Sequence, residues 1–235
     1  MTRSQVTQPS NTQEGFFFAE SFGNTLSGNT AKSNEEGFFF YESYGNTLSG
    51  NTANSNTAEG FLIEGSDGNT LTSNTANSNT QEGFYIYEAS YGNTLTSNTA
   101  NSNEVGGFLF DDSNVNTVKS NTANSNSEVG FDLEDDSSSN LLSGNSARSN
   151  GDIGFYFDST TGGNWVVSNT ASGNAVYDAL QVPGATNLFV GNSFHIQSGA
   201  AVPAIPPPSL PPVPSLPSLP SLPSFPPLPS LPSPP

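Results

Sequence analysis

Four carboxylates stand at matched places along the chain. Asp111, Glu134 and Asp158 each follow a Gly-Phe pair by the same offset, and Asp132 lies two residues before Glu134. If each Gly-Phe opens an equivalent strand, Asp111 and Asp158 sit two strands apart, about 9–10 Å. That is near the upper end of the separation used for inverting hydrolysis of a glycosidic bond, where one acid protonates the leaving oxygen and another activates water. Acids crowded at strand spacing repel, which raises some pKa values or recruits a cation. Against catalysis, the only histidine, His195, lies several turns away, and no Lys or Arg is expected near the acids to act as base or charge clamp. A solvated acidic face uses the same residues, and the expectation is that none of them is catalytic.

Metal chemistry has few donors. Glu134, Asp135 and Asp136, or Glu20, Glu42 and Glu88, supply hard oxygens suited to calcium. No stretch matches an EF-hand loop or the calcium-binding nonapeptide repeat. No cofactor is expected, calcium being the single candidate.

The chain that must position these groups has 235 residues, a net charge of −17, no cysteine and only four Lys plus Arg. Arg3, Lys32, Lys119 and Arg148 are scattered, so the clustered cations of a nucleic-acid binder are missing. The charge also disfavours docking on an anionic membrane, and no stretch approaches the length of a membrane span. The start, MTRSQVTQPSNTQEG, has no apolar run of the signal-peptide kind. Leu, Ile, Val and Phe total 51 residues, just above the level at which composition alone implies disorder. Order in the sequence must therefore specify the fold.

That order is a repeat. Gly-Phe recurs at Gly15, Gly37, Gly60, Gly83, Gly107, Gly130 and Gly154, with spacings of 22, 23, 23, 24, 23 and 24. Two asparagines keep step, one from Asn24 to Asn187 and one from Asn29 to Asn192. A period in this range means a solenoid. Asn, Thr, Ser and Gly favour turns and strands over helix, and each unit holds three short alternating segments. The reading is all-β: a single-stranded parallel β-helix of about eight 22–24-residue turns, roughly 40 Å long. Inward positions are the Phe16/Phe18 pair and its repeats, then Leu26, Leu48, Leu71, Leu95 and Val118, then Ala31 to Ala171.

Residues 1–10 read as a polar leader and 11–200 as the β-helix, with a degenerate last turn over about 174–200 acting as cap. Residues 201–235 form a Pro/Ser/Leu tail, expected to be disordered or an extended polyproline stalk, with a proline-recognition motif as the alternative. No cap is evident at the N-terminal end, so end-to-end self-association, or cover from another chain or from further sequence, is expected there.

On the first strand the outward columns run Phe17, Phe39, Leu62, Tyr85, Leu109, Asp132, Tyr156 and Ala19, Tyr41, Glu64, Tyr87, Asp111, Glu134, Asp158. Rings spaced along a flat sheet stack on sugars while carboxylates accept hydroxyl hydrogen bonds. Phe17, Phe39, Tyr41, Tyr85, Tyr87, Tyr156 and Glu64 are the ligand-binding candidates. Mutual cover of strand-favouring rings is the plainer alternative. Outward Thr pairs such as Thr70/Thr72 and Thr94/Thr96 look like the flat arrays of ice-binding solenoids, with Lys119 interrupting.

The unit typified by GNTLTSNTANSN (92–103) and GFYIYE (83–88) resembles the right-handed parallel β-helix repeats of NosD-like proteins, related in shape to pectin lyases. The resemblance spans most of residues 11–198. It implies a surface, secreted or periplasmic setting and, from carbohydrate-acting relatives in shape, a groove on the first sheet. It carries no copper site, since Met1 and His195 are the only soft or imidazole donors. The resulting expectation is a non-catalytic structural or glycan-contacting protein, with a polysaccharide or cell-surface component as partner. The alternatives are a carbohydrate-active enzyme built on the acidic cluster, or an ice-binding solenoid.

Overall fold

A computed structural model describes residues 7–8 and 13–194. The 195–235 tail, including His195, lies outside the described residues. Alternating side chains and a polar residue at every bend fold each repeat into three strands, and successive repeats stack in parallel. The first wall holds Phe16–Ala19, Phe38–Tyr41, Phe61–Glu64, Phe84–Tyr87, Phe108–Asp111, Phe131–Glu134, Ile153–Phe157 and Tyr177–Gln181, in that order across one sheet. The second wall runs in the same sense from Thr25–Ser27 to Thr186–Val190. The third is made by the NTA segments; at Thr75 it narrows to single bridges with Thr52 and Thr99. This is a right-handed parallel β-helix of about eight turns.

Register is strict. Phe61, Phe84 and Phe108 align, as do Leu71, Leu95 and Val118, and Ala100 and Ala123. Inside, the rings of Phe16, Phe38, Phe61, Phe84, Phe108, Phe131 and Phe155 form one continuous stack, with centroids 4.6–4.8 Å apart and planes within 3–6°. The ring spacing equals the strand spacing, so the column follows directly from the backbone. Its upper end departs from this order. Phe194 takes the place of the wall alanine, opposite Ala171, and meets Phe155 and Phe189 edge-on or tilted. A larger ring where a small residue usually sits closes the narrow side of the last turn.

Three corners of each turn share one device: a residue in the left-handed region, Gly or Ser in nearly every turn, followed by an Asn that is mostly buried; after the first wall a Glu, Gly, Ala or Asp takes that conformation before a Ser. Asn98 shows its chemistry. Its N–H and Nδ2 both donate to Asn121 Oδ1 (2.8 and 3.0 Å), and Nδ2 also reaches the Leu71 carbonyl (2.9 Å). Its Oδ1 accepts from the N–H and Nδ2 of Asn74. The ladder thus satisfies bend amides that would otherwise be buried unpaired. Two further ladders escape the sequence reading: Asn34, Asn56, Asn79, Asn103, Asn126 and Asn150 at the third corner, and buried Ser43, Ser66, Ser90, Ser113 and Ser137 after the first wall.

The Gly of Gly-Phe is fixed by space rather than by conformation. A Cβ on Gly60 would lie 2.6 Å from the Gly83 carbonyl oxygen and 2.7 Å from Ala76 Cβ. The structure also adds a strand to the polar leader. Thr7–Gln8 pairs with Thr30 and Ala31 and lengthens the third wall by one rung at the N-terminal end.

Candidate functional site

The three walls differ chemically on their outer faces. The second and third present mainly Thr, Ser and Asn, with Lys32 and Arg148 on the third and Lys119 on the second. The first wall presents rings and carboxylates, and none of the described Lys or Arg lies on it.

Its N-terminal half is aromatic. Phe17 is exposed and packs at 5.2 Å, tilted, on half-buried Phe39, which meets Tyr41 edge-on at 6.4 Å. Leu62 and Tyr85 continue this column in register. Tyr85 and Tyr87 lie 5.1 Å apart at a shallow tilt. Glu64 sits between Tyr41 and Tyr87 on the neighbouring strands, and burial, then Glu88 and Glu42, hold its carboxyl above the usual range.

The C-terminal half is acidic. Leu109 aligns with Asp132 and Asp132 with Tyr156, while Asp111 aligns with Glu134. The Tyr85 hydroxyl donates to Asp111 Oδ2 at 3.0 Å, on the next strand and two positions beyond its register partner Leu109. Burial is the main cause of the raised Asp111 pKa, and the Tyr85 hydrogen bond opposes it. Burial and the facing carboxylate likewise push the Tyr85 phenol well up. Asp132 is the exceptional member. Its Oδ1 is fully buried with no hydrogen-bond partner, the one such side-chain atom among the described residues. Burial first, then Glu134, Glu82, Asp158 and Asp111, keep it protonated well above the usual carboxylate range. A plain solvated face therefore does not describe this carboxyl.

Asp158 is engaged elsewhere. Its Oδ1 accepts from the Thr160 N–H (2.7 Å), the Thr160 hydroxyl (2.6 Å) and the Thr161 N–H (3.2 Å), closing its own turn. The structure thus gathers Asp111, Asp132 and Glu134, and turns Asp158 toward the next corner. Asp135 and Asp136 are exposed corner residues with φ of 41° and 65°. Among the described residues, no three His, Cys, Asp or Glu side chains converge as a metal site.

One column is new relative to the sequence reading. Glu14, Glu36, Glu59 and Glu82 each precede the Gly of Gly-Phe, so they stack along the first wall's leading edge. Glu59 and Glu82 are buried. Burial, only partly offset by a hydrogen bond from each residue's own N–H, raises the pKa of Glu36 and Glu82 to about 7, and Glu59 moves the same way. The next turn has Gly106 at this place, and the Glu82 side chain runs over it: a Cβ on Gly106 would lie 3.7 Å from Glu82 Cγ. Glu82 thereby joins the field around Asp132. The signal was a Glu-Gly dipeptide recurring at the repeat period.

Together these features define a right-handed parallel β-helix with one chemically distinct wall. The chain belongs to the family described as the periplasmic copper-binding protein NosD, which matches residues 2–122 and 88–187. No curated protein matches it in sequence. Among solved structures it is similar to a double mutant of the periplasmic alginate epimerase AlgG (TM-score 0.71, 21% identity, 77% of this chain and 47% of that one). It is also similar to pectate lyase Pel9A (TM-score 0.61, 16% identity, 83% and 67%). A third is the DFA-IIIase of Arthrobacter chlorophenolicus A6 (TM-score 0.53, 14% identity, 72% and 54%). The chain spans about half the length of the epimerase it matches. At these identities the likeness is one of fold. The donor set does not fit copper: there is no cysteine, and Met1 and His195 lie outside the described residues.

Proposed function

We propose that the chain is a non-catalytic module, working outside the cytoplasm, that contacts polysaccharide through the outer face of its first wall. The observation carrying this reading is the registered strip of Phe17, Phe39, Tyr85 and Tyr156, with Tyr41, Tyr87 and the carboxylates of Glu64, Asp111 and Glu134 alongside. Phe17 and Phe39 stand on adjacent strands, Tyr85 two strands further on and Tyr156 three beyond it, so the strip offers faces to successive sugar rings, and half-buried acids offer acceptors for hydroxyls. The second wall exposes one ring, Trp165, in register between Leu141 and Leu188, rather than a strip of rings with carboxylates alongside. The names of the fold neighbours, an alginate epimerase and a pectate lyase, are in keeping with a polysaccharide partner, and the periplasmic setting in two of the names with the location.

One observation favours a second reading, glycan hydrolysis. Asp132 holds its proton above the usual range, as a general acid must, beside Glu134 and Asp111. The engagement of Asp158 in its own turn weighs against the original acid pair.

A glycan array followed by turnover assays separates the two. Binding by the parent, Asp111→Asn and Asp158→Asn chains, with no cleavage of any bound glycan, supports the module. Cleavage by the parent that Asp111→Asn abolishes overturns it in favour of the enzyme. Binding to no glycan overturns both.

A further inference from the structure

Resting on the glycan-contact reading, the geometry points to a narrower ligand class: we propose that the acidic half of the first wall receives a polysaccharide bearing free amino groups. Three observations converge on Asp132. Its Oδ1 is a buried oxygen without a partner, and a native structure rarely leaves such an atom unmade without a use for it. It lies between Leu109 and Tyr156 in register, with Asp111 and Glu134 on the adjacent column and Glu82 leaning over Gly106. No described cation stands on this wall to neutralise the group.

The charge sign selects the ligand. Alginate and pectate, which appear in the names of the fold neighbours, are polyanions, and a wall of carboxylates on a chain of net charge −17 repels them. A neutral sugar can use the rings but offers Asp132 no more than a hydroxyl. An ammonium group beside it lets Asp132 release its proton to solvent, supplies the missing positive charge and up to three donors at once, and hydrogen bonds between ionised partners are about twice as strong as neutral ones. The rings of Tyr85 and Tyr156 flank the acids, so a sugar can stack while its amine turns toward Asp132. Tyr85 is itself directed by its hydrogen bond to Asp111.

The test is calorimetric titration of the full chain with three hexasaccharides: fully deacetylated chito-oligosaccharide, its N-acetylated counterpart and an oligogalacturonate. The amino sugar is expected to bind about tenfold or more tighter than the acetylated one. Its affinity is expected to fall with added salt, and the uronate is not expected to bind. Asp132→Asn, close in size to the protonated acid, is expected to remove that preference while leaving binding of the acetylated sugar unchanged. If Asp132→Asn does not fold by circular dichroism, Asp132→Leu, which repeats the Leu109 of the preceding turn, serves the same test. Equal or tighter binding of the acetylated sugar overturns the amino-glycan proposal and leaves the glycan-contact reading standing. Tightest binding of the uronate overturns it by showing that the wall's charge does not govern choice. Absence of binding to all three also overturns it, and the glycan array then judges the broader reading separately.

Discussion

Glu82 is a carboxylate buried against its own charge, and replacing it should make the protein more stable at neutral pH. Its folded pKa of about 7 lies above the ordinary 4.5. At ~1.4 kcal/mol for each tenfold change in proton affinity, that gap corresponds to about 3 kcal/mol. The sign follows from linkage. A carboxyl whose folded pKa is raised binds more protons folded than unfolded, so its contribution is fully present below the unfolded pKa and is lost as pH rises through about 7. Glu36, Glu59 and Asp132 are shifted the same way. The parent should therefore be more stable to urea at about pH 4.5 than at about pH 8. Glu82→Gln keeps a side chain of similar size over Gly106 without the charge. It should raise stability by about 2–3 kcal/mol at the higher pH and change it little at the lower one. Urea midpoints for both chains at both pH values measure this, with slopes compared to confirm that the same unit unfolds. An equal effect of Glu82→Gln at the two pH values, or a parent whose stability climbs toward pH 8, would refute the reasoning.

Other substitutions test the architecture. Val115 occupies a left-handed corner position (φ 61°) where Gly45, Gly68 and Gly92 stand in other turns, so Val115→Gly should stabilise by about 1 kcal/mol in thermal melts despite the added chain freedom. Gly107→Ala should cost more than about 3 kcal/mol, because the new Cβ would sit 2.6 Å from both the Gly130 carbonyl and Ala123 Cβ. Its neighbour Gly106→Ala meets only ordinary contacts at 3.6–3.7 Å and should cost far less; equal losses in urea midpoints would contradict the stacking. Asn98→Leu removes the acceptor of the Asn74 N–H and the side-chain donor to the Leu71 carbonyl, leaving the Asn98 N–H on Asn121 Oδ1, and should destabilise by about 2–4 kcal/mol in the same assay.

The solenoid was legible because its code is periodic. Phe16 through Phe155, Leu26 through Val118 and Ala31 through Ala171 all point inward as alternation requires, and the markers fixed the length of each turn. The site was legible only in outline. Which residues line the first wall follows from alternation, but how deep a carboxyl sits depends on side chains one and two rungs away. Asp132 reads in sequence like any outward acid; the residue is half-buried, and beside Leu109, Tyr156 and the long arm of Glu82 its Oδ1 is out of contact with water. Glu82 in turn lies flat because the following repeat has Gly106 where another residue could have blocked it. The turn held by Asp158 depends on Thr160 and Thr161 after the strand, where the repeat changes its spacing. The added rung at Thr7–Gln8 was hidden because two residues carry no alternation.

Backbone hydrogen exchange of the full chain, alone and with the glycan that the array identifies, tests the central claim most directly. Contact through the first wall predicts added protection over Phe84–Tyr87, Phe108–Asp111 and Phe131–Glu134, with Thr70–Thr72 and Thr94–Thr96 on the second wall unchanged. Protection centred on those threonine strands, with the first wall unaffected, would contradict it.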